Sequence, residues 1–126
     1  MWGERGLQNF LRALSIVPIV FGGMGLVFGA AGLNAGLPLS ASLDSQFRFT
    51  SAWYLALAAL IWWMVPRVAT ETTLFRILCM AIFLGGLGRL AAIAQYGLPE
   101  PAMIAGLVAE LSAPLLILWQ KHVAES

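Results

Sequence analysis

Two charged residues, Arg89 and Glu110, lie inside long apolar stretches of the sequence. A charged side chain at the middle of a membrane costs about 2.5–3.5 kcal/mol on the most lenient insertion scale, so neither residue is expected to face lipid. An arginine and a carboxylate can cancel each other's charge and share hydrogen bonds. Leaving either one unpaired in apolar surroundings costs about 3–5 kcal/mol. These residue types therefore predict an Arg89–Glu110 ion pair.

The positions of the two residues relative to a connecting loop predict that they can meet. The loop, at residues 96–101, contains Gly97, Pro99 and Pro101. Arg89 precedes it by about seven residues and Glu110 lies about nine residues beyond it, so at ~1.5 Å per residue both lie roughly 10–14 Å from the same membrane surface. Adjacent antiparallel helices would bring the two side chains to one level.

Pro114, four residues after Glu110, adds a second polar feature at that depth. Proline has no N–H, so the carbonyl of Glu110 loses its usual hydrogen bond and the helix is expected to kink. A free carbonyl at membrane depth is tolerated only inside protein or beside a wet cavity. This spacing predicts a polar pocket around Glu110.

Three further polar residues are predicted on the same outer side of the membrane. Asp44 and Arg48 are four residues apart and can pair within one turn if their segment is helical. Gln95 is expected near the mouth of the predicted pocket. The candidate ligand-binding residues are therefore Asp44, Arg48, Arg89, Gln95 and Glu110.

The composition of the 126-residue chain is that of a membrane protein. Hydrophobic residues make up 60% and charged residues 10%, against roughly 25% charged in a soluble domain. A small soluble domain could not bury that much apolar surface, which excludes a soluble enzyme. A net charge of +1 without a basic run gives no support for nucleic-acid binding. A single cysteine, Cys79, and a single histidine, His122, predict no disulfide and no metal site.

Four apolar stretches are long enough, or nearly so, to cross a hydrocarbon core of about 30 Å. They predict an all-α fold, a polytopic four-helix membrane bundle in which residues 1–126 form a single transmembrane domain. The second stretch is short, stops at Pro66, and could begin earlier, near Phe47. Residues 34–45 are expected to form the first external loop. The predicted spans are about 13–33, 51–65, 74–94 and 102–119.

The distribution of basic residues predicts the orientation of the chain. Basic residues collect on the cytoplasmic side of membrane proteins. Five of them fall on one side if both termini are cytoplasmic, and Arg48 alone falls in the opposite loops. Both termini are therefore predicted to be cytoplasmic. The five residues are Arg5, Arg12, Arg67, Arg76 and Lys121.

Small residues form a stripe on one face of the first and of the third predicted span. Such stripes allow the backbones of membrane helices to approach closely. They predict that the first and third helices pack together, and the alternative is that one stripe forms a homodimer interface. The first stripe is Gly22, Gly25, Gly29, Gly32 and Gly36; the second is Ala81, Gly85, Gly88 and Ala92.

Three of these elements together resemble the bacterial domain of unknown function 4345 family. They are the Asp44-x-x-x-Arg48 spacing, the sequence Gly88-Arg89-Leu90, and Glu110. The resemblance covers residues 18–119 and extends loosely to the DoxX-like group. The family pattern often has a serine three residues after the arginine, where this chain has Ala92. The resemblance implies a four-helix protein of the bacterial inner membrane and implies no enzyme activity. DoxX-like relatives include accessory subunits and assembly helpers.

Three hypotheses for function follow from these residues. The first is an accessory or binding protein whose pocket receives a lipid-like, quinone-like or anionic small molecule, or a partner membrane protein. Membrane lipids, a larger membrane complex or a second copy are the expected partners, with no cofactor. The second is a membrane enzyme or small transporter that uses Glu110 as an acid–base group, although no catalytic constellation is present. The third is a structural subunit in which the Arg89–Glu110 pair fixes the helices.

Overall fold

All regular structure in the described residues, 2–32, 40–99 and 101–125 of a computed structural model, is helical. The all-α prediction is therefore confirmed. Short 3-10 turns follow the first two helices, at Gly29–Gly32 and Val65–Arg67. The helices are α1 (Trp2–Phe28), α2 (Ala41–Met64), α3 (Thr72–Tyr96), α4 (Pro101–Leu111) and α5 (Ala113–Glu125).

Four segments of the described chain are long and apolar enough to cross a membrane, as predicted. Each has at least 25 residues, or about 37 Å of helix, which exceeds a hydrocarbon core of about 30 Å. The chain is accordingly a multi-pass membrane protein, and the orientation of its termini stays a prediction. The segments are Gly3–Ala31, Ala41–Arg67, Thr72–Tyr96 and Pro101–Glu125.

The second helix begins at Ala41, ten residues before the predicted span at 51–65. Ser40 caps it, since the hydroxyl of Ser40 accepts a hydrogen bond from the Leu43 N–H at 3.0 Å. Asp44 lies in the first turn, where a negative charge is favourable. Residues 41–45 are thus helical and do not belong to the predicted external loop. The rest of that loop lies largely outside the described residues, and so does Gly36.

The chain forms two compact units. The hairpin unit is Gln8–Pro66 and contains most of α1 together with α2. The pair unit is Met1–Leu7 with Arg67–Ser126 and contains α3, α4 and α5. The single transmembrane domain stays a prediction.

In the hairpin unit, α1 and α2 are antiparallel and are joined by hydrogen bonds along their length. Near one end, Gln8 Nε2 donates to the carbonyl of Val65 at 3.0 Å. One to two turns further along α1, Trp62 Nε1 donates to the buried hydroxyl of Ser15 at 3.0 Å. The Gln8 side chain thus donates to a backbone carbonyl just beyond the end of α2.

The glycines of α1 set the distance between the two helices. A Cβ added to Gly22 would lie 2.9 Å from the carbonyl oxygen of Ser51. One added to Gly25 would run into the Ser51 hydroxyl and lie 2.9 Å from the Phe47 ring. The sequence pattern predicts the third helix as the partner of this stripe, whereas the nearest atoms belong to α2. Periodicity identifies the face of a helix that packs, not the helix that covers it.

In the pair unit, α3 packs against α4 and α5, and the glycine at the contact is Gly86. A Cβ on Gly86 would lie 3.1 Å from Glu110 Cβ and from Leu111 Cδ2. Gly85 and Gly88, predicted as packing residues, are exposed, and an added Cβ on Gly88 would meet no atom of the described residues within 4 Å. Gly88 therefore makes no close contact within the described part of the pair unit, and its role in helix packing stays a prediction.

Gly25→Ala is expected to destabilise the hairpin unit, because the added methyl group has no space beside Ser51 and Phe47. Overfilling a packed contact typically costs about 1–3 kcal/mol. The measurement is the free energy of unfolding of the detergent-solubilised protein, followed by circular dichroism during a denaturant titration.

Gly23→Ala is the matched control for this variant. An added Cβ on Gly23 would meet nothing within 4 Å, and alanine favours a helix over glycine by up to about 1 kcal/mol. This variant should be as stable as the wild type or more so. Equal losses in the two variants would show that close packing at Gly25 is not the cause.

Candidate functional site

Arg89 of α3 and Glu110 of α4 form the predicted ion pair. Arg89 Nε lies 2.6 Å from Glu110 Oε1 and 3.0 Å from Oε2, so one N–H of the guanidinium serves both carboxylate oxygens. The side chains are 32% and 20% exposed, respectively. The two charges therefore cancel at close range within the pair unit, in a region where the flanking residues of both helices are apolar.

Three glycines, Gly85, Gly86 and Gly106, lie close to the Glu110 side chain. Gly86 allows α4 to approach α3 at the Cβ of Glu110. An added Cβ on Gly106 would lie 3.5 Å from Oε1, and one on Gly85 would lie 3.7 Å from Oε2. Both positions could hold a methyl group at ordinary contact distance. Gly85 and Gly106 thus place no side chain beside the carboxylate, and neither glycine is needed for the fit.

The terminal nitrogens of Arg89 are not paired with the carboxylate. Nη1 donates to the thioether sulfur of Met103 at 3.3 Å, and a thioether is a weak acceptor. Among the described residues, no oxygen accepts a hydrogen bond from Nη1 or Nη2 of Arg89. A guanidinium has five N–H donors, so most of the donors of Arg89 lack an oxygen acceptor in the described chain.

The fourth span is interrupted two residues beyond Glu110, as Pro114 predicts. The helix ends at Leu111 and resumes at Ala113. The Ser112 N–H is shared between the carbonyls of Val108 and Ala109, at 3.1 and 3.2 Å. Because Pro114 has no N–H, the Glu110 carbonyl cannot receive the hydrogen bond that residue 114 would normally give. Glu110 thus contributes two polar groups to this part of α4, its carboxylate and its backbone carbonyl.

Asp44 and Arg48 form a second ion pair, within the hairpin unit. Arg48 Nε donates to Asp44 Oδ2 at 2.8 Å, which confirms that the two residues pair within one helical turn. Nη1 of Arg48 donates to the carbonyls of Leu26 and Val27, each at 3.0 Å. Asp44 Oδ1 accepts from the N–H of Ala30 at 3.0 Å. The pair therefore caps the end of α1.

Gly29 makes this cap possible. Its φ is +70°, the left-handed conformation with which helices commonly end. A Cβ there would collide with Asp44 Oδ1 and lie 2.9 Å from Arg48 Nε. The positive charge of Arg48 at the carboxyl end of α1 is also favourable to the helix dipole. Gly29 thus allows the turn at the end of α1 and the close approach of the Asp44 and Arg48 side chains. The sequence predicts only a role in helix packing for this residue.

The five candidate residues are divided between the units. Asp44 and Arg48 belong to the hairpin unit, and Arg89 and Glu110 belong to the pair unit. Gln95 is exposed in the last turns of α3. The common pocket and the ligand-binding role of all five residues stay predictions. The surroundings of Gly32 lie outside the described part of the structure.

Several residues of these sites were not predicted. Gly106 and Met103 precede Glu110 by four and seven residues and share its helix face, so helical spacing could have identified them.

A buried polar residue outside these sites is Gln120 of α5. It is fully buried and donates to the Val68 carbonyl at 2.9 Å and to Thr72 Oγ1 at 3.0 Å. No sequence signal marks Gln120, because a glutamine near a predicted membrane surface is ordinary.

Metal-binding groups are not assembled in the described residues. No cluster of three or more histidine, cysteine, aspartate or glutamate side chains occurs there. Arg89 and Glu110 instead provide one cation and one carboxylate, which can bind and orient a polar group through hydrogen bonds.

A comparison with family models matches residues 6–120, and the matching family is described as Domain of unknown function (DUF4345). The match contains α2, α3 and α4 and most of α1 and α5, and it includes every candidate site residue. The comparisons with curated proteins and with solved structures found no match. The predicted family is thus confirmed, and the relation to the DoxX-like group stays a prediction.

Asp44→Ala is expected to open the end of α1, because the Ala30 N–H loses its acceptor. A hydrogen bond to a charged group contributes about 1.5–3 kcal/mol, so exchange of the Ala30 amide hydrogen should become at least about tenfold faster. Hydrogen–deuterium exchange of the detergent-solubilised protein measures this rate.

Asp44→Asn is the matched control, because its amide oxygen can still accept from Ala30 N–H. Exchange at Ala30 should stay within a fewfold of the wild type in this variant. If Asp44→Ala leaves the exchange rate unchanged, the pair does not hold this turn.

Proposed function

We propose a binding role for this chain, which belongs to the family of domain of unknown function 4345. The protein would bind a lipid-like or anionic small molecule, or a polar group of a partner membrane protein, at Arg89 and Glu110. It would act as a small accessory or binding protein of the bacterial inner membrane, with both termini in the cytoplasm. The distribution of basic residues supports that orientation.

The observation that carries the proposal is the use of the Arg89 donors. Its Nε bonds both oxygens of Glu110, while its terminal nitrogens have only the sulfur of Met103 among the described residues. An unsatisfied donor in an apolar region costs about 1–3 kcal/mol. An arginine that served packing alone would be expected to direct its donors to protein oxygens, as Arg48 does. The arrangement favours a ligand that supplies the missing acceptors.

Glu110 would act as a positioning residue. Its two oxygens on Nε fix the guanidinium in one orientation and cancel its charge. The terminal nitrogens form no hydrogen bond with the carboxylate. Arg48 is less suited to a ligand, because its Nη1 already bonds two carbonyls at the end of α1.

A structural role is the second candidate, and one contact favours it. Glu110 Cβ lies where Gly86 allows close approach, so the ion pair and the packing contact coincide at one level of α3 and α4. A pair used only in this way would fix the register of the two helices. Replacing both charged residues by apolar ones would then be tolerated, since buried pairs often contribute little net stability.

Native mass spectrometry of the detergent-extracted protein tests the proposal. We expect wild type to carry a lipid or small-molecule adduct that is lost in the Arg89→Leu variant and in the paired Arg89→Met, Glu110→Leu variant. The paired variant leaves no unpaired charge and is therefore expected to fold, so its loss of adduct would report on the site. Tyr96→Leu, at an 87% exposed position at the end of α3, is the control and should retain the adduct.

Two results would overturn the binding role. One is a paired variant that is folded and carries the same adduct as wild type. The other is the absence of an adduct from every variant, together with easier unfolding of Arg89→Leu than of the paired variant. The second result would establish the structural role.

A further inference from the structure

We infer that the group received by Arg89 is a neutral hydrogen-bond acceptor, an ester or ketone carbonyl on an apolar chain, and not an anion. The inference rests on the proposed function and specifies the chemistry of its ligand. It follows from the charge balance of the site, from the kind of donors it offers, and from the residues beside them.

The charge balance of the site disfavours an anion. The charge of Arg89 is cancelled by Glu110 at 2.6 Å. The other charged residue of α3 is Arg76, 13 positions away, or about 20 Å along the helix, and Glu110 is the only charged residue of α4. A bound anion would therefore add an uncompensated negative charge within a membrane span, which is costly. A carbonyl group adds none.

The donors of the site select an acceptor. Arginine has N–H groups and no acceptor, so the terminal nitrogens cannot receive a hydrogen bond from an amine or a hydroxyl group. The described partner of Nη1 is the sulfur of Met103, which a carbonyl oxygen can replace as a better acceptor. A carbonyl oxygen has two lone pairs, and it can therefore receive both Nη1–H and Nη2–H.

The neighbouring residues on α3 suit an apolar chain. Gly85 lies one turn before Arg89 on the same face and is exposed. An added Cβ on Gly85 would touch only Glu110 Oε2, at 3.7 Å. Leu90, beside Arg89, is 41% exposed. An alkyl chain can thus lie against this part of α3 with its carbonyl at the guanidinium.

The experiment uses two probes with the same alkyl chain, one with a neutral ester head group and one with a carboxylate. Full-length protein with ¹⁵N-labelled arginine is placed in maltoside detergent, which has neither carbonyl groups nor anions. It is titrated with methyl oleate or with oleate, at a pH where oleate is ionised, and the side-chain resonances of arginine are recorded by NMR. The resonance of Arg89 is identified by its absence from the Arg89→Met, Glu110→Leu variant. A C18 alkene without a head group controls for the chain.

Methyl oleate is expected to shift the Arg89 resonance saturably, with a Kd at least about tenfold lower than that of oleate. The alkene should not shift it, and the Arg48 resonance should remain unchanged. Tighter binding of oleate would overturn the inference while the proposed function stands. If neither probe shifts Arg89, and native mass spectrometry finds no adduct, both fail.

Two glycine variants locate the bound probe without altering a charged residue. Gly85→Leu would place a side chain beside Glu110 Oε2 and should abolish the response to methyl oleate. Gly88→Leu, at a position where an added Cβ meets nothing within 4 Å, should leave the response unchanged. A full response in the Gly85→Leu variant would place the probe elsewhere and would overturn the inference.

Discussion

A polar group inside a membrane has no water to bond, so it must find its partner within the protein. Side chains meet this requirement at the helix ends of this chain. Gln8 bonds the carbonyl of Val65, Gln120 bonds that of Val68, and Arg48 bonds those of Leu26 and Val27. The membrane also explains the close approach of α1 and α2 at Gly25. Lipid provides no force that drives apolar helices together, so the two helices associate through close packing of their backbones. Two groups do not fit the pattern in the described residues: the terminal nitrogens of Arg89, and the buried Oε1 of Gln120, which accepts no hydrogen bond there.

The two ion pairs show how one pair of residue types can serve different purposes. Asp44 and Arg48 are on the same helix, and their remaining hydrogen-bonding atoms contact the backbone at the end of α1. Arg89 and Glu110 are on different helices, and the remaining donors of Arg89 do not contact the backbone of any described residue. The first pair completes a turn. The second is complete as a pair of charges but incomplete as a set of hydrogen bonds, which is why it is the candidate site.

Hydropathy and loop distances were sufficient to predict much of this structure. The four spans, the pairing of Arg89 with Glu110 and the interruption before Pro114 each follow from one local rule. The predicted start of α2 is too late, because five of residues 41–48 are polar and their helix depends on a cap at Ser40 and on contacts with α1. The partner of the glycine stripe and the role of Gly86 depend on which helices meet and at what rotation. Neither quantity is encoded in the periodicity of a single helix.

The cap on α1 also has a consequence for biosynthesis. The atoms that complete the end of α1 belong to Asp44 and Arg48, which the ribosome adds 14 and 22 residues after Ala30 and Leu26, respectively. The first helix therefore lacks these capping contacts while it is the only segment in the translocon. Its carbonyls at Leu26 and Val27 must keep another partner until the start of α2 has emerged. The smallest unit that can enter the bilayer with these groups satisfied is thus the hairpin of α1 and α2, inserted together.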